Sequence, residues 1–292
     1  MTSAAAVIVH YGAVAPTVAV ANAGLDWAHE VCVVANDRSS RPEGLHSDVR
    51  WLVPERNLGF GSGFMLGVRA TESEVCVAMN NDIVLDASAA VRCVSLIEQP
   101  GVGVVGPVLR RLDGSLQSGG GTLSRLRCRP IARQDPGAED RVATWVTGAI
   151  MFVRRSVLEV APMDGSYFLG CEDVDFCLRA QRAGYTTVIA GSAQAVHHGG
   201  TVITGVRWNY YVYRNHVWFS RQHFGRLVAG LVWLGGVATL PRVLVADAVK
   251  RGNLLSSRLA LHGLLDGLRA KPLPDAGPLE DEPRAAHWVP WV

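Results

Sequence analysis

Short apolar runs alternate with segments of helical spacing over the first 200 residues, and this alternation is the strongest constraint on the fold. The apolar runs cover residues 6–10, 31–36, 75–79, 102–109, 145–153 and 186–190. Candidate helices lie between several of them, at about 16–23, 61–70 and 87–98. This order predicts an α/β fold, with a mostly parallel sheet flanked by helices. Ligands of such sheets bind at the carboxyl ends of the strands, so polar residues that follow the runs are the first site candidates.

The rest of the chain departs from this pattern. Residues 110–141 are rich in Gly, Arg and Ser and have no clear period, which predicts a long functional or disordered loop. Beyond residue 200 the pattern is helical to about residue 270, with Trp, Tyr and Leu faces. We therefore expect an α/β domain over 1–205, a helical segment over 206–271 and a flexible, Pro-rich acidic tail over 272–292.

Composition excludes some classes of protein. The chain has 292 residues, 49% of them apolar and 18% charged, which excludes disorder as its main state. A net charge of +2 gives no reason to expect a nucleic-acid partner. Residues 1–6 lack the basic region of a secretory signal, and the longest uncharged apolar stretch, 227–240, is shorter than the roughly 20 residues of a spanning helix. We therefore expect a cytosolic protein.

The small net charge hides an uneven distribution. Residues 1–199 hold 17 Arg against 20 acids, whereas residues 200–271 hold 10 Lys or Arg against two acids. Basic, aromatic and apolar residues on helices too short to span are typical of a surface that lies on a membrane. Two interpretations are open: peripheral membrane contact through 206–271, or a helical cap with a solvated basic face.

One candidate site is the sequence Asn80-Asn81-Asp82, which ends a buried strand. A carboxylate here would lie at the carboxyl edge of the sheet. Mg²⁺ and Mn²⁺ prefer oxygen ligands and often take only one or two carboxylates, with phosphates completing the shell. A turn or a helix cap is the simpler reason for a lone Asp after a strand. The motif alone leaves both readings open.

A second candidate is the acidic start of a predicted helix, where Glu172, Asp173 and Asp175 fall in the first turn. Acids there complement the helix dipole, which is the structural interpretation. The same field keeps a carboxylate ionised, and an ionised carboxylate can act as a general base.

Two further motifs follow predicted strands or open a helix. His197 and His198 come after the 186–190 run, and neutral imidazole is a common metal ligand. Adjacent residues of a strand face opposite ways, so we expect at most one of the two to serve. A glycine-rich turn over 57–63 offers backbone N–H groups to a phosphate, but an ordinary turn explains it equally well.

The order of these motifs resembles the inverting glycosyltransferases of family 2, above all their rhamnosyltransferase-like branch. The matching features are Asn36-Asp37, the run 57–61 with Gly63 and Gly67, Asn80-Asn81-Asp82, residues 105–107 with Asp113-Gly114, the strand 147–151, the segment 164–185, His197 with Gly200, and Tyr210-Tyr211 with Arg214-Asn215. The resemblance covers roughly residues 6–220. The chain departs from the usual pattern at Met65, Gly165 and Gly170, where the family has Asn, Glu and Tyr.

The resemblance implies a GT-A fold, Rossmann-like, with a C-terminal helical appendage, and an inverting transfer of a sugar from a nucleotide sugar. L-Rhamnose from dTDP-rhamnose is the first expected donor, and a glycan, a lipid-linked sugar or a natural product is the expected acceptor. The implied nucleotide-binding residues are His10, Tyr11, Asn36, Asp37, Asn57, Gly59, Gly63, Asn80 and Asn81. The implied location is cytoplasmic or peripheral on the inner face of the membrane, and a homo-oligomer stays open.

The resemblance also assigns the chemistry. Asp82 and His197 would hold Mg²⁺ or Mn²⁺, and Asp173 would be the catalytic base. Glu172, Asp175 and Phe168 would form the acceptor site, or the two acids would support the helix start. Arg214 would meet a phosphate or form a structural ion pair.

Two alternatives belong to other classes. A non-catalytic relative that only binds nucleotide sugars would fit the changes at Met65, Gly165 and Gly170. A sugar nucleotidyltransferase shares the layered α/β plan but needs a Gly- and Lys/Arg-rich loop after the first strand. Here His10-Tyr11-Gly12-Ala13 occupies that place.

Overall fold

A computed structural model describes residues 2–124, 128–135, 137–198, 206–250 and 253–269. The chain divides into two compact units. Unit 1 comprises Met1–Thr122, Pro130–Gly165 and Glu172–Gly199. Unit 2 comprises Leu123–Arg129, Ser166–Cys171 and Gly200–Val292. The predicted tail, 272–292, and Gly200 lie outside the described residues.

The described strands are β1 to β12 in chain order. They are Ala4–His10, Glu30–Ala35, Val49–Leu52, Val75–Asn80, Ile83–Leu85, Val102–Arg111, Leu116–Ser118, Gly121–Ser124, Arg129–Ala132, Arg141–Val142, Ile150–Arg154 and Thr186–His197. The central sheet has the order β10-β12-β6-β11-β4-β1-β2-β3, with β5 on β12 and β7 on β6. β3, β2, β1 and β4 are parallel, as are β6 and β12, while β11 runs antiparallel between β4 and β6. β8 and β9 form a separate two-stranded sheet.

The helices of unit 1 are α1 to α5, and those of unit 2 are α6 to α8. In chain order they are Val14–Gly24, Gly59–Arg69, Ala87–Ile97, Arg155–Val160, Glu172–Arg182, Val206–Phe224, Arg226–Lys250 and Leu255–Arg269. A short 3₁₀ turn lies at Gly165–Tyr167. The prediction of a mostly parallel sheet flanked by helices, with helices at the C-terminal end, is confirmed.

The central strands are apolar throughout because both faces of the sheet are covered. Every residue of β1 is buried, as are all but the first of β2 and all but the last of β4. Strands buried on both faces have continuous apolar sequences instead of alternating ones. This explains why these three strands could be recognised from the sequence.

Glycines let α2 approach the sheet closely. A Cβ on Gly67 would lie 2.3 Å from Cγ1 of Val7, and one on Gly63 would lie 3.0 Å from Nδ2 of Asn36. These glycines therefore serve helix–sheet packing, and α2 could not lie at this distance with larger residues.

The structure corrects three boundaries. The segment 110–141, predicted to be a loop, carries the end of β6 together with β7, β8, β9 and the start of β10. The strand predicted over 145–153 begins only at Ile150, and Trp145 makes just an isolated bridge to Gly121. The strand predicted over 186–190 continues to His197 through a register irregularity between Ala190 and Gln194.

Unit 2 contains three helices that pack on one another. Val217 of α6, Ala229 of α7 and Leu264 of α8 share a buried apolar cluster. α6 and α8 approach closely at glycine, since a Cβ on Gly263 would lie 2.4 Å from the carbonyl oxygen of Tyr210.

α7 is longer than the sequence suggested. The stretch Arg226–Val249 is long and apolar enough to cross a membrane by length and composition, which corrects the prediction from 227–240 alone.

We predict that Gly67→Ala lowers the free energy of unfolding by about 1–3 kcal/mol, because the added methyl group overpacks against Val7. Urea unfolding followed by circular dichroism measures the change. Gly61→Ala in the same helix is the matched control, since its Cβ would meet Cβ of Met163 at an ordinary 3.5 Å. We expect it to be neutral or stabilising, as Ala is the better helix former. Equal losses in both variants would contradict the packing role of Gly67.

Candidate active site

Three parallel strands end side by side at one edge of the sheet. In register, His10 of β1 pairs with Ala35 of β2, and Val9 of β1 pairs with Asn80 of β4. The residues that follow these strands are therefore brought together, as expected for the carboxyl edge of a parallel sheet. Half-buried Tyr11 follows β1 directly.

His10 is a buried link between the ends of these strands. Its Nδ1 lies 2.7 Å from Oγ1 of Thr17 and 3.3 Å from Nδ2 of Asn81, and its Nε2 lies 3.3 Å from Oδ2 of Asp37. Burial lowers the pKa of His10, although the charge of Asp37 opposes this. The imidazole is therefore neutral near pH 7 and acts as a hydrogen-bonding link between neighbouring strand ends.

The Asp37 carboxylate is held by donors on two loops. Oδ2 accepts from the Gly12 amide at 3.0 Å, and Oδ1 accepts from the amide and hydroxyl of Ser39 at 3.1 and 2.7 Å. Burial tends to raise the pKa of Asp37, but these hydrogen bonds outweigh it and the net pKa is lowered. Asp37 is thus a fixed, ionised acceptor at the end of β2.

Asn36 and Asn57 shape the glycine turn at the start of α2. Nδ2 of Asn36 donates to the Gly59 carbonyl at 2.8 Å, and its Oδ1 accepts from the Leu58 amide at 3.3 Å. Oδ1 of Asn57 accepts from the Gly59 amide at 2.9 Å, and Gly59 has a φ of +71° that favours glycine. The structure therefore gives both asparagines a positioning role in this turn, and it gives Gly63 a packing role.

Asn81 leaves one buried oxygen without a partner. Its Nδ2 donates to Oγ1 of Thr17 at 2.9 Å, while its Oδ1 is buried and accepts no hydrogen bond from the described residues. The neighbouring Asn80 is half-buried, and its backbone amide donates to the carbonyl of Ala149 at 2.9 Å. A buried unsatisfied acceptor is uncommon and costly, so Oδ1 of Asn81 is a candidate acceptor for a donor group of a ligand.

Asp82 and His197 form a pair across two strands. Oδ1 of Asp82 lies 3.0 Å from Nε2 of His197, at the end of β12. This oxygen is buried and accepts no hydrogen bond of good geometry in the described part of the chain. The exposed His198 instead donates its backbone amide to the Asp82 carbonyl at 2.9 Å. His197 is therefore the histidine whose ring faces the carboxylate.

Gln117, which no sequence pattern singled out, holds the other side of the His197 ring. Its Nε2 lies 2.8 Å from Nδ1 of His197. The two ends of a carboxamide are a donor and an acceptor, so this side chain can support either tautomer of the imidazole. Gln117 lies on β7, inside the segment without a clear period, where no pattern distinguished it from neighbouring polar residues.

The pair fits a small divalent ion with few protein ligands. Among the described residues no group of three His, Cys, Asp or Glu side chains could hold a metal. Adjacent ligands on an octahedral ion at about 2.1 Å lie roughly 3.0 Å apart, which matches the separation of Asp82 and His197. Carboxylate with imidazole suits Mn²⁺, and a two-ligand site leaves positions for phosphate oxygens.

Asp173 is a half-buried carboxylate in the first turn of α5. Its Oδ2 accepts from the Gly148 amide at 2.9 Å and its Oδ1 from the Val174 amide at 2.8 Å. Burial raises the pKa of Asp173 despite these two hydrogen bonds. The Gly148 contact also ties Asp173 to β4, because the next residue, Ala149, bonds the Asn80 amide.

The two other acids of this turn differ from Asp173. Oδ2 of Asp175 accepts from Nε of Arg179 at 2.7 Å, one turn along the helix, and Arg179 also donates to the Pro162 carbonyl. Glu172 is buried at the first position of α5. The Asp175–Arg179 pair gives Asp175 a structural partner in the helix.

In unit 2, two side chains of α6 bond to backbone carbonyl groups of the loop 166–170. Nη1 of Arg214 donates to the Ser166 carbonyl at 2.7 Å, and Nδ2 of Asn215 lies 2.7–3.0 Å from the carbonyl oxygens of Tyr167, Leu169 and Gly170. Arg214 also lies over the Trp218 ring at 4.8 Å. The fully buried Arg214 therefore has structural partners in the loop and in the Trp218 ring.

Phe168 lies in the same loop of unit 2. Its ring stacks on Tyr211 at 5.3 Å, and its φ is +62°, an uncommon value for a non-glycine residue. Cys171 shares this left-handed conformation at +73°. The loop is therefore a strained segment held by α6.

Two of the departures from the family pattern have local reasons. Gly170 has a φ of +85°, which side chains rarely adopt, and a Cβ there would lie 3.1 Å from the Trp208 ring. A Cβ on Gly165 would lie 1.9 Å from Oγ of Ser62. The backbone therefore favours glycine at Gly170, whereas a side chain at Gly165 would require the Ser62 hydroxyl to move.

Comparisons with known proteins bear on the fold and on the resemblance to glycosyltransferases. No protein-family profile matches the chain. It is 26% identical over 178 residues to N-acetylglucosaminyl-diphospho-decaprenol L-rhamnosyltransferase of Mycobacterium tuberculosis, a match that covers 53% of this chain. The chain spans only 58% of that relative's length.

Solved structures share the fold at low identity. GalNAc-T7 with UDP, GalNAc and Mn²⁺ aligns with a TM-score of 0.62 and 12% identity, over 92% of this chain and 55% of that one. The mannosyltransferase PcManGT of Pyrobaculum calidifontis, with GDP-Man and Mn²⁺, aligns at 0.55 and 13%, over 91% and 86%. These findings confirm the predicted GT-A fold and the resemblance to rhamnosyltransferases.

We predict that Asn215→Ala lowers the free energy of unfolding of unit 2 by about 2 kcal/mol or more, because three carbonyl groups lose their shared donor. Urea unfolding monitored by circular dichroism gives the change. Asn209→Ala on the same helix removes a single bond to Oγ of Ser256 and is the control, with an expected loss below about 1 kcal/mol. A loss for Asn215→Ala no larger than the control's would refute the loop-holding role.

Proposed function

We propose that this chain is an inverting, metal-assisted glycosyltransferase that moves a sugar from a nucleotide sugar to an acceptor hydroxyl. The observation that carries the proposal is the buried Asp82–His197 pair at the carboxyl edge of the sheet. Oδ1 of Asp82 accepts no hydrogen bond of good geometry from the described residues, and it lies at the edge where sheets of this kind bind nucleotides. The similarity to rhamnosyltransferases and the GT-A fold support the same reaction class.

The nucleoside would bind over the ends of β1 and β2. Asp37 is a fixed, ionised acceptor for base or ribose donors. Tyr11 directly follows His10, whose Nε2 lies 3.3 Å from Oδ2 of Asp37. Asn36 and Asn57 act by holding the Gly59 turn in shape. Asn81 directly precedes Asp82, and its unsatisfied Oδ1 would accept a hydrogen bond from a donor group of the ligand.

Asp82 and His197 would hold Mg²⁺ or Mn²⁺ on the diphosphate. When bound, the cation supplies Lewis-acid stabilisation of the charge on the departing nucleoside diphosphate. The 3.0 Å separation of Oδ1 of Asp82 and Nε2 of His197 supports this role, since two neighbouring ligands of one octahedral ion lie at a similar distance. Gln117 keeps the His197 ring in this orientation.

Asp173 would be the general base. Its raised pKa makes it a stronger base than an exposed carboxylate, and its two backbone bonds fix its direction. It would take the proton of the acceptor hydroxyl while that oxygen forms its bond to the anomeric carbon. The bond from that carbon to the diphosphate breaks on the opposite face, so the anomeric configuration inverts.

The donor that best fits the sequence similarity is dTDP-L-rhamnose, because the M. tuberculosis relative is an L-rhamnosyltransferase by name. The acceptor of that relative is a diphospho-decaprenol-linked sugar, so we propose a lipid-linked or growing glycan as acceptor here. A cytoplasmic protein at the inner face of the membrane would meet such an acceptor.

A panel of nucleotide sugars with Mn²⁺, scored by release of nucleoside diphosphate in the presence of acceptors, tests the function. We expect release with one donor class and none after chelation with EDTA. Binding without release for every pair would favour a non-catalytic nucleotide-sugar-binding protein. Release of pyrophosphate from a nucleoside triphosphate and a sugar phosphate would identify a nucleotidyltransferase.

We predict that Asp173→Asn lowers turnover by about 10²-fold or more, because no base then takes the proton of the attacking hydroxyl. Nucleotide binding should be unchanged. In the native protein the rate should rise with pH as Asp173 ionises. Because the pKa of Asp173 is raised, this rise should occur above pH 3.8, the ordinary pKa of Asp. The variant should lack this acid limb. Glu159→Gln, an exposed neutralisation on α4, is the control and should keep the native profile. Full activity of Asp173→Asn excludes the base assignment.

We predict that Asp82→Asn weakens Mn²⁺-dependent binding of dTDP or UDP at least about tenfold, because a charged ligand of a two-ligand site is lost. Calorimetric titration with and without EDTA measures this. Asp86→Asn is the matched control, since Asp86 is an exposed helix cap that Asn replaces well. Equal affinities of both variants in Mn²⁺ would count against the metal role.

A further inference from the structure

Helix α7 carries an exposed apolar stripe along its length. Five large side chains on it are between 57% and 88% exposed: Leu227, Leu231, Leu234, Val245 and Val249. With exposed Ala238 and Pro241 between them, they recur at steps of three or four residues and share one face. At a rise of 1.5 Å per residue, the stripe is about 33 Å long.

The opposite face of α7 is already used inside unit 2. Ala229, Trp233 and Leu240 pack in the apolar cluster with Val217 of α6 and Leu264 of α8. The helix is therefore apolar on both sides, and only 6% of its most apolar window is buried. A helix that is apolar all round requires cover on every side, and an uncovered patch of this kind marks an interaction surface.

The charge of this region identifies the partner. Residues 200–271 carry 10 Lys or Arg against two acids, and both acids are engaged within the unit. Asp247 is buried and accepts from the amide and hydroxyl of Ser257, and Asp266 accepts from the Tyr210 hydroxyl. An apolar stripe in a basic surrounding is complementary to a bilayer surface that contains anionic lipids.

The neighbouring helices determine how α7 meets the bilayer. α8 packs against α7 and exposes Arg258, His262 and Arg269. A transmembrane α7 would carry these charged groups of α8 into hydrocarbon, which is costly. Exposed Arg242 beside the stripe can instead extend its guanidinium to the headgroups when the helix lies flat.

We propose that unit 2 binds the surface of an anionic bilayer, with α7 in the plane of the membrane and its exposed stripe inserted below the headgroups. The surface comprises Leu227, Leu231, Leu234, Val245 and Val249, flanked by Arg226 and Arg242. This proposal stands on the geometry and charge of unit 2 and does not depend on the proposed transfer reaction.

The test is flotation of the full chain with vesicles of phosphatidylcholine, with and without phosphatidylglycerol. We expect binding to the anionic vesicles at low salt, weaker binding to neutral ones, and release by alkaline carbonate. The triple variant Leu231→Gln, Leu234→Gln, Val245→Gln should lower the partition coefficient at least about tenfold, since apolar insertion is lost. Unchanged circular dichroism verifies that the variant is folded.

A second triple variant is the matched control: Leu112→Gln, Val142→Gln, Val160→Gln, all similarly exposed apolar residues of unit 1. It should bind like the native chain. Absence of native binding to anionic vesicles, or equal loss in both triple variants, overturns the proposal. Retention after carbonate would indicate a spanning helix instead. A lipid-free dimer in light scattering that the α7 variant abolishes, without vesicle binding, would identify a second copy as the occupant.

Discussion

The parallel pairing of β1 with β2 and β4 is the interaction on which the rest of unit 1 depends. Its register brings the ends of three strands together and so creates the edge that holds His10, Asp37 and Asn81. The pairing is possible because these strands are buried on both faces, with α2 in close contact through Gly67. A shift of one residue in β4 would send Asp82 to the other side and break its pairing with His197.

Hydrogen-bond partners separate the polar residues of the edge into two groups. Asn36 and Asn57 bond to the backbone of the turn at Leu58 and Gly59, so they fix this turn before any ligand arrives. The Asp37 carboxylate is oriented by Gly12 and Ser39. Oδ1 of Asn81 and Oδ1 of Asp82 are buried without such partners in the described residues. Leaving acceptors unsatisfied lowers stability, and a ligand that supplies a donor or a cation restores the lost bonds. We therefore regard these two oxygens as candidate ligand contacts, in addition to Asp37, which the proposed function assigns to the nucleoside.

The sequence predicted the elements that depend on local pattern. The strands β1, β2 and β4 and the helices α1 to α3 lie within a few residues of their expected bounds, because continuous apolar runs and helical periods are local signals. The strands between 110 and 141 were missed, since short edge strands take their order from long-range pairing. The contacts of Gln117 and Asn215 were missed for the same reason: each side chain acts on a residue distant in the sequence.

The charge at this edge bears on the cation of the proposed function. Asp37, Asp82 and Asp173 are carboxylates, and the pKa of His10 is lowered by burial, so this histidine adds no positive charge near pH 7. A nucleoside diphosphate would bring further negative charge to residues 1–199, which already hold 20 acids against 17 Arg. Repulsion between like charges at a few ångströms costs about 4 kcal/mol or more per pair at an effective dielectric constant near 20. Under the proposed function, a divalent cation held by Asp82 and His197 would offset this repulsion between the protein and the diphosphate.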